Sequence, residues 1–91
     1  MGKLDRTTQE LMTLTSEECG ELVQACMKIS RYGLEKHRVR ALLEEIGDVQ
    51  CLIDLMVQHD IITEKAIKKR VKFKHKKLKR WSTLYDKKSR T

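Results

Sequence analysis

Four carboxylates recur at matched spacing in two segments of the chain. Glu18 and Glu21 lie within the stretch EECGE, and Glu45 and Asp48 lie within EEIGD. The members of each pair are three residues apart, so on a helix both point the same way from successive turns. Carboxylate oxygens without His or Cys are the ligand set of a hard divalent cation such as Mg²⁺ or Mn²⁺. The two pairs therefore predict a metal site whose halves come from different helices.

Apolar residues surround both pairs at helical spacing. The first segment carries an apolar stripe formed by Leu4, Leu11, Leu14, Leu22, Ala25, Cys26 and Ile29. The second carries one formed by Ala41, Leu42, Val49, Leu52, Leu55 and Met56. Each carboxylate pair interrupts its stripe, and burying an uncompensated carboxylate costs several kcal/mol. Protons, Lys or Arg side chains, or a metal would offset that cost; alternatively, the carboxylates are flanks of a solvated helix face.

The composition of the 91 residues, with no Pro and only four Gly, favours an all-α fold. Gly33 with the polar stretch LEKHRV predicts one break between helices, and HDII followed by Thr63 and Glu64 predicts another. These breaks define a single domain, 1–91, with three helices at about 4–31, 39–58 and 63–82. The final residues, YDKKSRT, are predicted to be frayed.

A chain of this length buries only about 60–65% of its unfolded surface, so self-association is predicted. A short connection would let the two motif-bearing helices pair in antiparallel fashion. They would then complete a four-helix bundle with a partner chain. The carboxylates of both helices would face one another within that bundle.

The cysteines and the hydropathy define the expected surroundings of the protein. Cys19, Cys26 and Cys51 show no metal-type spacing and are predicted to be small buried residues in a reducing compartment. His37 and His75, like the third histidine, have no ligand spacing and receive no role. No apolar run approaches the ~18 residues of a membrane span, so a soluble cytoplasmic protein without a membrane partner is expected.

Charge is concentrated in the last third of the chain. Residues 1–62 carry 7 Lys/Arg and 11 Asp/Glu, whereas residues 63–91 carry 13 and 2. One interpretation is a phosphate-binding wall in which Lys77 and Arg80 contact a triphosphate. A second is a surface for nucleic acid, and a third is an amphipathic helix with a solvated basic face.

The strings SEECGELVQACMKISRYG and ALLEEIGDVQCLIDLM resemble short, phage-type members of the MazG-like all-α nucleoside triphosphate pyrophosphohydrolases. The resemblance covers about residues 10–60. It implies Mg²⁺-dependent hydrolysis of a ribo- or deoxyribonucleoside triphosphate to the monophosphate and pyrophosphate by a homodimer or homotetramer, in the host cytoplasm if a phage encodes the protein. Carried onto this chain, the metal ligands would be Glu18, Glu21, Glu45 and Asp48.

Further residues near the motifs are candidates for catalysis and phosphate binding. Glu17 and Glu44, each directly before a motif, could orient or deprotonate the attacking water, or be ordinary exposed residues. Lys28 and Arg31 could reach metal-bound phosphates, or merely offset the helix dipole. Tyr32 is an aromatic that could stack on a base. A different class of function remains open, namely a helical nucleic-acid-binding or partner-binding module that uses the basic third helix.

Overall fold

A computed structural model describes residues 4–86 of the chain. Three α-helices, and no strand, lie within this range: α1 (Arg6–Tyr32), α2 (Lys36–Gln58) and α3 (Glu64–Trp81). The predicted all-α class and the three helices are confirmed. Contacts divide the chain into two compact units, Met1–Ile61 with α1 and α2, and Ile62–Thr91 with α3.

Side-chain and backbone caps fix both ends of α1. The Asp5 carboxylate accepts a hydrogen bond from the backbone N–H of Thr8 at 2.7 Å, which satisfies one free donor of the first turn. The same hydrogen bond lowers the pKa of Asp5. At the other end Gly33 adopts φ 96° and its N–H bonds to the Ile29 carbonyl. Glycine tolerates this left-handed conformation best, as the predicted break requires.

The start of α2 lies about one turn earlier than predicted, at Lys36 rather than near residue 39. Arg38 explains the difference: its Nη1 donates to the carbonyls of Tyr32 at 2.8 Å and Gly33 at 3.2 Å. The guanidinium also lies 3.5 Å from the Glu35 carboxylate. Polar composition suggested a loop here, but these polar groups close the connection between two helices and satisfy the last carbonyls of α1.

α1 packs against α2 along the two predicted apolar stripes. Leu11, Ala25 and Leu52 are the buried apolar residues of the described chain. Other members of the stripes, such as Leu22 and Val49, are half-buried. The core is therefore a narrow seam between two antiparallel helices.

Several expected core residues lie outside that seam. Leu4 precedes α1 and is exposed. The prediction that Cys19, Cys26 and Cys51 are buried is wrong, since all three thiols are exposed. Helical register explains why, because these residues lie well to the side of the direction in which Leu11 and Leu52 point.

The hairpin of α1 and α2 has two different open sides. Successive residues on a helix are about 100° apart, and in an antiparallel pair this register places one apolar group of each helix on the same side. We call this the apolar side; it contains Cys19, Val23, Cys26 and Met27 of α1 and Val39, Leu43 and Ile46 of α2. Val23 is 61% exposed and Leu43 is 68% exposed. The opposite, polar side carries Glu21, Lys28 and Asp48.

The second unit consists of α3 and the turn that follows it. The Thr63 hydroxyl accepts a hydrogen bond from Ala66 N–H at 3.1 Å, and no residue of α3 is buried. Tyr85 hydrogen-bonds through its hydroxyl to His75, and Lys79 lies 5.6 Å from its ring centroid. The predicted fraying of YDKKSRT stays a prediction, since residues 87–91 lie outside the described range. A span long and apolar enough to cross a membrane is absent from the described helices.

Replacement of Arg38 tests its role in closing the hairpin. Arg38→Met keeps the apolar stem but removes the hydrogen bonds to Tyr32 and Gly33. The free energy of unfolding should fall by about 1.5–3 kcal/mol, as for other hydrogen bonds to charged groups. Arg40→Met, an identical change at an exposed site of the same helix, is the control. Equal urea midpoints for the two variants would contradict the proposed cap.

Candidate metal centre

Three predicted ligands converge across the seam between α1 and α2. Glu18, Glu21 and Glu45 each offer a carboxylate oxygen, and these atoms lie within 4.8 Å of one another. Two come from successive turns of α1 and one from α2, which the antiparallel pairing brings beside them. We call these three residues the carboxylate cluster.

Part of the carboxylate cluster is removed from water. The Oε2 atoms of Glu18 and Glu45 are inaccessible to solvent and have no hydrogen-bond partner within the described structure. Desolvation, followed by the charge of Glu21, raises the pKa of Glu18 and raises the pKa of Glu45 to about 7. Desolvation and close spacing therefore disfavour negative charge on Glu18 and Glu45, and a compensating positive charge would offset this effect.

Nearby side chains do not supply that charge through ion pairs. Among the described residues, the ion pairs join Glu35 to His37 and Arg38, and Glu64 to Lys68. Of the neutralisers named from the sequence, protons and a metal remain. The donor set is all oxygen and includes two shielded atoms without a partner, so it fits a hard divalent cation that Glu18, Glu21 and Glu45 would hold.

The fourth predicted ligand, Asp48, lies beside the carboxylate cluster but outside it. Asp48 is exposed, and its charge contributes to the raised pKa of Glu18. Together with Glu18 and Cys51 it lines a groove of about 270 Å³, whose wall also includes Leu14 and Leu52. Asp48 therefore lies at one side of the carboxylate cluster, with its carboxylate exposed to solvent.

Lys28 is the basic residue that the structure brings next to the carboxylate cluster. It lines a groove of about 280 Å³ with Glu21 and Glu45. Two small residues of the seam, Ala25 and Ala41, also line this groove. Arg31 lies instead in the last turn of α1, where its charge is favourable near the negative end of the helix dipole.

A second groove adjoins the first and was not predicted. It measures about 330 Å³, shares Ala25, Lys28 and Ala41 with the first groove, and adds Tyr32, His37 and Arg38. The Arg38 guanidinium lies 5.2 Å from the Tyr32 ring centroid. A sequence signal did exist, since Arg38 precedes Ala41 by three residues and Glu45 by seven and so continues the stripe of α2.

The candidates for water activation and the remaining phosphate ligands lie elsewhere. Glu17 and Glu44 are exposed and precede Glu21 and Asp48 by one helical turn. Neither belongs to the carboxylate cluster. Lys77 and Arg80 lie in the second unit, where they line a groove of about 300 Å³ with Phe73 and Lys76. Their assignment to substrate phosphates stays a prediction.

Comparison of the chain with protein-family models, with curated proteins and with solved structures finds no match.

The raised pKa of Glu45 predicts a pH dependence of stability in metal-free buffer. Because the folded protein binds this proton more tightly than the unfolded chain, Glu45 destabilises the fold increasingly as the pH rises from its ordinary pKa of 4.5 to about 7. Glu45→Gln should therefore be more stable than the parent above pH 7, and the difference should shrink toward pH 4.5.

Thermal melts between pH 4 and pH 8 with chelator present would measure this dependence. Glu44→Gln, at the exposed neighbouring position, should keep the pH profile of the parent. A Glu45→Gln profile parallel to that of the parent would show that the carboxylate is not destabilised in the fold.

Proposed function

We propose that this chain is a divalent-metal-dependent nucleoside triphosphate pyrophosphohydrolase. The observation that carries the proposal is the carboxylate cluster, with three carboxylate oxygens within 4.8 Å and two shielded oxygens without a partner. Mg²⁺ bound to few carboxylates usually keeps several waters and completes its shell with substrate phosphates. The resemblance of residues 17–21 and 44–48 to the paired motif of MazG-like enzymes supports the same reaction.

The reaction would use residues of both helices. When bound, Mg²⁺ or Mn²⁺ would offset the negative charge of the phosphoryl oxygens. A water oxygen bonds to phosphorus, a P–O bond of the α–β bridge breaks, and pyrophosphate leaves with the nucleoside monophosphate as the second product. In this proposal Glu17 or Glu44, each one helical turn before a motif carboxylate, would take the proton of that water.

In the proposed reaction, the two adjoining grooves would orient the substrate along the polar side of the hairpin. Lys28 lines both grooves, so its ammonium group is placed to neutralise phosphate oxygens between the carboxylate cluster and Tyr32. The Tyr32 ring is 62% exposed and can stack on a base at the far end of the second groove. The Arg38 guanidinium lies over that ring, 5.2 Å from its centroid, while its hydrogen bonds to the Tyr32 and Gly33 carbonyls hold the guanidinium in place.

Product analysis tests the proposed reaction. Incubation with a panel of ribo- and deoxyribonucleoside triphosphates and Mg²⁺ should release pyrophosphate rather than orthophosphate from at least one of them. Glu21→Gln and Glu45→Gln should each lower kcat/KM by at least tenfold, since even loss of an outer-shell partner of a metal costs about 10–100-fold. Glu10→Gln, an equal loss of charge at an exposed site of α1, should retain activity. Pyrophosphate release that survives both cluster substitutions would refute the assignment.

We further propose that the apolar side of the hairpin pairs with that of a second chain to form a four-helix bundle. Its exposed members, including Val23, Met27, Leu43 and Ile46, are too many for a solvated surface of two helices. A partner there would cover Cys19 and Cys26 and leave the polar side, with its grooves, open to substrate. Homodimers or homotetramers would both satisfy this arrangement.

Sedimentation experiments test the bundle. Val23→Lys and Leu43→Lys place a charge in the proposed interface and should shift the protein toward monomer. Thr13→Lys adds the same charge to the polar side of α1 and should leave the mass unchanged. A parent protein that sediments as a monomer, or a Val23→Lys variant that keeps its oligomeric mass, would count against the interface.

A further inference from the structure

The second unit presents a strongly basic helix that the proposed hydrolysis does not account for. α3 contains ten Lys/Arg and one acidic residue, Glu64. All ten basic residues are exposed, and within the described residues only Lys68 among them forms an ion pair, at 3.3 Å from Glu64. This charge exceeds what one triphosphate needs, so most of it has no partner in the proposed reaction.

The basic residues extend around most of the helix. Seven of them share one face, and the other three lie together to one side of it; the seven are Lys65, Lys68, Lys69, Lys72, Lys76, Lys79 and Arg80, and the three are Arg70, Lys74 and Lys77. At about 100° per residue, the ten cations span roughly two thirds of the circumference. The remaining third carries Ile67, Val71 and Leu78, of which Ile67 and Leu78 are half-buried.

This distribution opposes helix formation in the absence of an anion. Lys65 and Lys69, Lys68 and Lys72, and three further pairs of like charge lie four residues apart, and such pairs destabilise a helix. The Thr63 cap and the ion pair with Glu64 offset only the first turn. A bound polyanion would remove the repulsion along the whole length of α3.

We propose that α3 binds duplex DNA by lying in the major groove. The groove is about 12 Å wide and admits an α-helix, with phosphates on both of its flanks. This matches α3, whose seven-residue basic face lies on one side of Phe73 and whose other three cations lie on the other side. The basic face extends over 16 residues, or about 24 Å. Phe73, which is 51% exposed, lies within the basic arc, where it can contact base edges. Duplex RNA is a poorer fit, because its major groove is too narrow for a helix.

Other negatively charged ligands, namely a membrane surface and a single-stranded nucleic acid, fit α3 less well. An interfacial membrane helix needs a broad apolar face, whereas the apolar stripe of α3 is narrow and its Phe73 lies among the cations. The Arg70 guanidinium is 4.6 Å from the Phe73 ring centroid, so a cation contacts even this aromatic side chain. The bases of single-stranded DNA would contact Phe73 and Trp81 mainly by stacking. Single-stranded DNA is therefore included as a competing ligand in the test.

Fluorescence anisotropy with a labelled duplex DNA of mixed sequence, titrated at several salt concentrations, tests the proposal with the full chain. The triple variant Lys65→Gln, Lys69→Gln, Lys72→Gln should bind at least about tenfold more weakly and lower the salt slope by roughly 2.7, at ~0.9 per lost phosphate contact. The matched variant Arg6→Gln, Lys36→Gln, Arg40→Gln removes the same charge from exposed positions of the first unit. Its salt slope should change by less than one.

Each remaining outcome decides the proposal. The proposal is supported if the protein binds duplex DNA more tightly than single-stranded DNA, duplex RNA or anionic phospholipid vesicles. An increase in the helical circular dichroism signal on binding duplex DNA also supports it. Equal losses in the two triple variants would overturn it, because they would indicate only long-range attraction. Preference for any of the other three ligands, or no binding at low salt, would also overturn it. Both triple variants leave the carboxylate cluster intact, so hydrolysis measured in parallel keeps this result separate from the proposed enzymatic function.

Discussion

The first unit places carboxylates in the seam between its two helices, and this placement is the constraint from which its candidate site follows. Leu11, Ala25 and Leu52 supply its buried apolar contacts, while Glu18 and Glu45 occupy seam positions where apolar side chains would stabilise the fold more. Shielding a carboxylate oxygen from water without giving it a hydrogen-bond partner costs free energy. The same desolvation raises the pKa of both residues. We infer that ligand binding, rather than stability of the isolated hairpin, explains why carboxylates occupy these positions.

The two open sides of the hairpin differ in the residues that they expose. Alanines at 25 and 41 leave space beside the carboxylate cluster, so that Lys28 and Tyr32 line open grooves on or near it. The apolar side, which includes Val23 and Leu43, exposes mainly apolar side chains among the described residues. Under the proposed function, substrate would use the polar side and a partner chain the apolar side.

Helical periodicity and break residues predicted the fold class, the helix boundaries to within a few residues and the convergence of Glu18, Glu21 and Glu45. Other features could not be predicted this way. The early start of α2 depends on Arg38 reaching carbonyls of the preceding helix, a contact that polar composition disguises as a loop. Exposure of the cysteines and the displacement of Asp48 from the carboxylate cluster depend on how far each residue is rotated from the seam. A count of apolar residues does not measure that rotation.

Direct titration of Mn²⁺ into the metal-free protein, followed by electron paramagnetic resonance of the free ion, tests the central claim independently of any substrate. The account predicts saturable binding near one ion per chain, competition by Mg²⁺, and at least tenfold weaker binding in Glu18→Gln than in Glu17→Gln, since loss of even an outer-shell partner costs about 10–100-fold. Binding of equal strength in the two variants, or no saturable binding, would contradict a metal site at the seam.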